Sequence, residues 1–435
     1  MFLANGPDGA LYMCDMYRKS IEHPTYLPDE VAAITDFDAG KQHGRIYRIT
    51  TTNATSFKAL DGQDVQALLT ALGHPNIWQR DTAQRLLLER QNIHDVPALG
   101  ALLRESESAH ARIRALHLLD SLGALKKEYL LLALRDSDAD MREQGLRLSR
   151  LHPSNAPVVR DAILALAHDD DPHVRFACAI ALGDIAEPDE AIDEALASIL
   201  RANIDDSWTR TAVLSAIDTA PLDFARSLLV TELSLESGWL EFMEGLSRVI
   251  ALVEAPAKTA QFLVNVLDVT PNESERWRLA ALQGTLSGIH TNKTFTAAPT
   301  AVEQFKMATQ ILSSLPPKIT LDDWITTCLR IIQSDSTPTE AKRRAIDVLR
   351  HTDFDTAGET LVALLTPLTP QDVQVSIIAA LNGFKDDRVS SALLKRSVWL
   401  GFATETRKVA INGLLGSTPG IDALLTAMEA GDVEG

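Results

Sequence analysis

Asp170-Asp171-Pro172-His173-Val174-Arg175-Phe176-Ala177-Cys178-Ala179-Ile180-Ala181-Leu182-Gly183 is the stretch whose reading decides the fold. Asp171 can cap a helix, and Pro172 fits its first turn, where a missing N–H costs nothing. Val174, Ala177, Cys178, Ala181 and Leu182 then fall at helical spacing on one apolar face. The stretch reads as the second helix of a two-helix repeat, and variants of it return along most of the sequence.

The period follows from the arginine. Arg80, Arg112, Arg142, Arg175 and Arg210 succeed one another at intervals of 30 to 35 residues. Arg278, Lys342, Gln374 and Arg407 continue the series at one or two such periods. Four residues before the first six arginines stand Asn76, Ser108, Asp138, Asp171, Asp206 and Ser274, all good N-caps. Three residues after them come Ala83, Ala115, Gly145, Cys178, Val213 and Ala281, mostly small enough for close helix packing. In later units Pro338, Pro370 and Ala403 replace the cap. First helices are legible at residues 65–72 and 98–103. Helices this short are marginal alone, so stacking has to supply the core. The spacing predicts a mostly α fold, a right-handed HEAT-like α-solenoid of about eleven helix pairs over residues 53–425. Residues 1–52 form a separate N-terminal piece and 426–435 a tail.

Bulk properties narrow the function. The 435 residues are 46 % apolar and only 5 % aromatic, which suits stacked helices. A net charge of −18 repels phosphate backbones and argues against a nucleic-acid partner. The arginine series therefore reads as buttressing, pairing with Asp or Glu of adjacent units, rather than as a phosphate ladder. Cys14, Cys178 and Cys328 are far apart, with no zinc spacing and no C-x-x-C-H haem motif. No metal set is legible, and Asp169-Asp170-Asp171 reads as a cap and a solvated turn. The six tryptophans read as packing residues. No run of 18 apolar residues suggests a membrane span, and no signal peptide is legible at the N-terminus. Serine-hydrolase elbows, phosphate loops and metalloprotease motifs are missing from residues 51–435.

The first fifty residues read differently. Pro7-Asp8-Gly9 is a turn signal, and Leu11–Tyr17, apolar on both sides apart from Asp15, reads as a buried strand. A polar loop with a short helix near Asp29–Ile34 follows, then a second strand, Arg45–Thr50. Two strands rarely stand alone in water. The reading is a β-hairpin left from an incomplete sheet, which makes the chain a piece of a larger protein. The unadorned end after Ala427 reads the same way.

These residues also carry a resemblance. Gly6-Pro7-Asp8-Gly9-Ala10-Leu11-Tyr12, Asp15-Met16-Tyr17-Arg18, Ile21-Glu22-His23-Pro24, Tyr26-Leu27-Pro28 and Gly44-Arg45-Ile46-Tyr47-Arg48-Ile49 resemble the last propeller blade of the large membrane-bound dehydrogenase-type proteins of planctomycetes and verrucomicrobia. That family resembles PQQ-dependent sugar dehydrogenases in a β-propeller, continues into HEAT-like repeats and commonly ends in a cytochrome c domain. The resemblance is close over residues 6–50 and only architectural beyond. It implies an exported protein, with PQQ and calcium in full-length relatives and neither they nor haem in this chain. It also marks Arg18 and His23 as the residues a quinone or sugar would meet, with Glu22 and Lys41 beside them. The leading expectation is a non-catalytic connector between a propeller and a cytochrome domain. The alternatives are a stand-alone protein-binding scaffold and, behind it, residual PQQ-dependent dehydrogenase activity.

Overall fold

Polar caps followed by apolar helical spacing give the secondary structure that the computed structural model shows. It describes residues 2–21, 23–50, 59–152, 157–185, 189–217, 219–231, 237–269, 275–292, 300–303 and 321–433. The fold is mostly α, of the HEAT-like α-solenoid class, with a small antiparallel sheet at the N-terminus. It divides into two compact units, Met1–Cys178 and Ala179–Gly435.

In the first unit, Ile77–Arg90, Ala109–Ser121 and Ala139–Leu151 pack in succession as second helices. Val96–Glu105, Lys127–Leu134 and Pro157–Ala165 form a parallel layer of first helices. Between the layers Leu68, Leu72, Leu87, Leu99, Leu116 and Leu119 are fully buried, each contributing about 1.5–3 kcal/mol by leaving water. Asn76, Ser108, Asp138 and Asp171 accept backbone N–H bonds as N-caps of their helices. Ser274 lies outside the described residues.

In the second unit the second-helix layer runs through Ser207–Ala216, Ser237–Val253, Glu275–Thr291, Thr339–Leu349, Gln371–Gly383 and Thr404–Leu414. Asp206 caps the first of these. Pro338, Pro370 and Ala403 provide no side-chain cap for the last three, which start on extended backbone instead. Helix Thr418–Glu429 carries regular structure past residue 425. Trp239, Trp277, Trp324 and Trp399 are buried, but Trp208 is 72 % exposed. Cys178 and Cys328 are buried, and burial pushes both thiols up to about 12. Cys14 is exposed.

The N-terminal piece departs from expectation in three respects. It is a three-stranded meander of β1 (Phe2–Asn5), β2 (Leu11–Asp15) and β3 (Arg45–Ile49), not a two-stranded hairpin. β2 stops at Asp15, because Tyr17 takes φ +50°, a conformation no strand continues through. Nor is β2 a buried strand: Leu11 and Cys14 are exposed and no residue of it is buried.

Candidate functional site

The recurring arginine is a turn-holder built from two carbonyls and one carboxylate. Arg112 Nη1 donates to the Ser106 and Glu107 carbonyls of its own inter-helix turn at 2.8 and 3.2 Å. Its Nε and Nη2 donate to the two Asp136 oxygens of the next turn at 2.8 and 2.7 Å. Arg142 repeats the geometry, with Asp136 and Ser137 carbonyls at 3.0 Å and both Asp169 oxygens at 2.7 Å. Arg175 holds the Asp169 and Asp170 carbonyls, and Arg210 the Ile204 carbonyl and Glu241. Arg278 is buried over the Trp324 ring at 5.6 Å, and Arg407 has an unpartnered buried Nε. The receiving aspartate sits two residues before the next N-cap and accepts that cap's N–H as well.

That rule exposes a gap. Arg80 holds the His74 and Pro75 carbonyls, but Ser106 occupies the place where Asp136 and Asp169 stand in the next two turns, and Arg80 Nε is buried without a partner. Ser106→Asp should stabilise the first unit by about 0.5–1 kcal/mol by adding the missing fork. Urea denaturation checks it, and no gain in the Arg80→Lys background is the matching expectation, since lysine cannot form that fork.

The loop residues singled out for a quinone or sugar serve the loop itself. Arg18 donates to the Phe37 carbonyl and lies 4.0 Å from Asp38, which also pairs with Lys41 at 3.1 Å. His23 Nδ1 accepts from Thr25 N at 3.3 Å as the cap of a short 3-10 turn, and its ring meets Tyr26 edge-on. Glu22 lies outside the described residues. Arg18 and His23 each use one nitrogen on a backbone group of the loop, and Arg18 Nε is buried without a partner. Among the described residues no cluster of His, Cys, Asp and Glu could hold a metal ion.

The sheet is the more informative feature. Pairing places Phe2, Cys14 and Ile46 in one row on one face, and Leu3, Met13 and Tyr47 in a row on the other. Phe2 and Ile46 are 69 % and 68 % exposed, and Leu3, Leu11 and Ile49 on the opposite face are exposed as well. A stable isolated sheet normally solvates one face with polar residues; this one exposes apolar side chains on both. Among the described residues, side chains of the first repeat hold its β1–β2 turn. Asn76 Nδ2 donates to the Gly6 and Pro7 carbonyls at 3.0 and 3.1 Å, and Gln79 Nε2 to Pro7 at 3.2 Å. Ala10 is buried beneath. Asp8 ties the turn to the sheet through Arg48 Nε at 2.7 Å, a bond that holds its carboxyl below its ordinary value.

Sequence reasoning passed over β1 and the second role of Asn76. A signal for β1 exists in hindsight: Phe2-Leu3-Ala4-Asn5 runs straight into the Gly6-Pro7-Asp8-Gly9 turn, and Gly9 takes φ +78°. Four residues are too few for periodicity to show.

Paired helices, capped second helices and arginine-held turns define a helical-repeat protein of HEAT-like class. Residues 159–187 match the HEAT repeat, and residues 1–53 match DUF7133, a domain family of unknown function. Among curated proteins none is similar in sequence. Among solved structures the chain is similar to Kap121p bound to Nup53p, at 13 % identity and TM-score 0.40, over 85 % of this chain and 45 % of that one. It is similar to Kap121p bound to RanGTP at 15 % identity and TM-score 0.38, over 84 % and 45 %. An engineered protein matches at 17 % identity and TM-score 0.27, over 86 % and all of its own chain. The chain thus spans less than half the length of those karyopherin chains. No helix among the described residues is long and apolar enough to cross a membrane.

Proposed function

We propose that this chain is a non-catalytic scaffold and connector. Its HEAT-like helices carry the protein-binding surface, and its sheet is one blade of a β-propeller like that of PQQ-dependent sugar dehydrogenases. The observation that carries the reading is the sheet with apolar side chains exposed on both faces. A blade inside a propeller is covered on both faces by its neighbours, which is the environment such a sheet requires. The resemblance of residues 6–50 supports the same assignment. Cofactor chemistry, with PQQ and calcium, belongs in this reading to the other blades, and a haem domain to a separate part of the protein.

Hydrogen exchange and dye binding on the purified chain test it. Amides of β1–β3 should exchange far faster than those of the helices, and a hydrophobic dye should bind in a Phe2- and Ile46-dependent manner. No dye should be reduced when PQQ, calcium and a sugar are added. Sheet amides protected as well as the helices would instead favour the second reading, in which Asn76 and Gln79 seat the sheet as a cap on the first repeat. Reduction of the dye would overturn the non-catalytic assignment.

A further inference from the structure

The second unit carries a cationic patch on a strongly acidic chain. Helices Ser237–Val253, Glu275–Thr291 and Thr339–Leu349 lie side by side in the second-helix layer. Arg248 belongs to the first and Arg343 to the third, Arg350 follows the third directly, and Gln283, Ser287 and His290 lie along the middle one. Spacing of four and seven residues puts Arg343, Asp347 and Arg350 on one face, as it does Gln283, Ser287 and His290. Cross-helix bonds show that these faces meet. Gln283 Nε2 donates to Glu244 at 3.0 Å on one side and to Asp347 at 3.3 Å on the other. The His290 and His351 rings stand 6.1 Å apart.

The carboxylates of this seam are already engaged. Arg344 lies buried against Glu244 at 3.1 Å and Glu340 at 3.3 Å, and Arg276 pairs with Glu340 at 2.6 Å. Arg248, Arg343 and Arg350 are exposed and form no ion pair within 4.0 Å among the described residues, although Arg343 and Arg350 act electrostatically on the half-buried Asp347 between them. The helices that carry these arginines thus lie on either side of Gln283, which bonds to both neighbours. On a chain of net charge −18, a local excess of unpaired arginine is not explained by solubility.

We propose that this face binds an acidic peptide segment of a partner protein, its carboxylates received by Arg248, Arg343 and Arg350. Guanidinium forks match carboxylates in pairs, and the planar fork loses less rotamer freedom per hydrogen bond formed than an ammonium does. A nucleic acid fits less well, because a long phosphate polymer would meet the acidic remainder of the chain. The inference deepens the scaffold part of the reading above and does not depend on the propeller part.

The test is fluorescence anisotropy of a labelled octaglutamate peptide with the full chain at low salt. The wild type should bind it, and R248E/R343E/R350E should weaken binding at least about tenfold, with an unchanged circular dichroism spectrum. Should the triple variant not fold, Arg343→Gln and Arg350→Gln singly should each cost about threefold. Arg85→Glu, a single charge reversal in the first unit, should leave affinity within about twofold. Equal binding by wild type and the triple variant, no binding at all, or tighter binding of an oligothymidylate of the same charge would each overturn the proposal. The exchange test of the sheet would stand in every case.

Discussion

Gly284→Ala lowers the stability of the Ala179–Gly435 unit by about 2–3 kcal/mol, although propensity alone predicts a gain of about 1 kcal/mol for removing a glycine from a helix interior. The sign comes from backbone crowding. A methyl at Gly284 would overlap the Glu244 carbonyl oxygen and stand 2.8 Å from its carbon and 3.1 Å from Arg248 N. At Gly288 it would stand 2.6 Å from Ala251 Cβ and 2.7 Å from the Arg248 carbonyl oxygen. These neighbours are largely main chain of an adjacent helix, so no side chain can swing aside, and the two helices must separate. Glu275–Thr291 is buried along most of its circumference, so the separation propagates to Trp277, Leu282 and Leu286. Urea denaturation read through amide exchange in Glu275–Thr291 measures the loss. A stabilised variant would mean that the crossing is looser than the geometry requires.

The same glycines show where the sequence was legible and where it stopped. Caps and period are local: Asn76, Ser108, Asp138, Asp171 and Asp206 could be read because each acts on amides two or three residues away. Gly284 and Gly288 act on a helix some forty residues earlier, and nothing near them announces the partner. The cationic face is similarly opaque. Arg248 stands about a hundred residues before Arg343 and Arg350, and only stacking of the helices brings it to the same layer. In the N-terminal piece, apolar residues on both sides of β2 were legible as a pattern, but the pattern implies a buried strand only when covering layers are present. Composition showed the need for cover; the structure shows two bare faces. Arg18 and His23 stood out as polar residues in a loop, yet their hydrogen bonds go to that loop's own backbone.

Arg142→Leu costs the first unit about 3 kcal/mol, and Arg142→Leu with Asp169→Leu costs less than the single change. Side-chain exposure of the pair is 16 % and 7 %, so removing the guanidinium leaves a nearly buried carboxylate facing two emptied bond directions. Removing both charges removes that penalty, and a double-mutant cycle isolates it. The pH dependence has a definite sign. Burial raises the Asp169 carboxyl, but the Arg142 hydrogen bonds and the Asp171 amide outweigh it and leave the group below its ordinary value. A depressed folded value means that the unfolded chain takes up the proton first. The stabilisation is therefore complete above the unfolded carboxylate range, about pH 4, and fades as pH falls through the lower folded value. The difference between wild type and Asp169→Asn should be flat from pH 6 to 8, on the order of one carboxylate–arginine fork, and should shrink below about pH 4. If the gap instead widened on acidification, Asp169 would be held protonated in the folded state. The arginine series would then be a set of turn-closing carbonyl contacts and not a chain of ion pairs linking successive repeats.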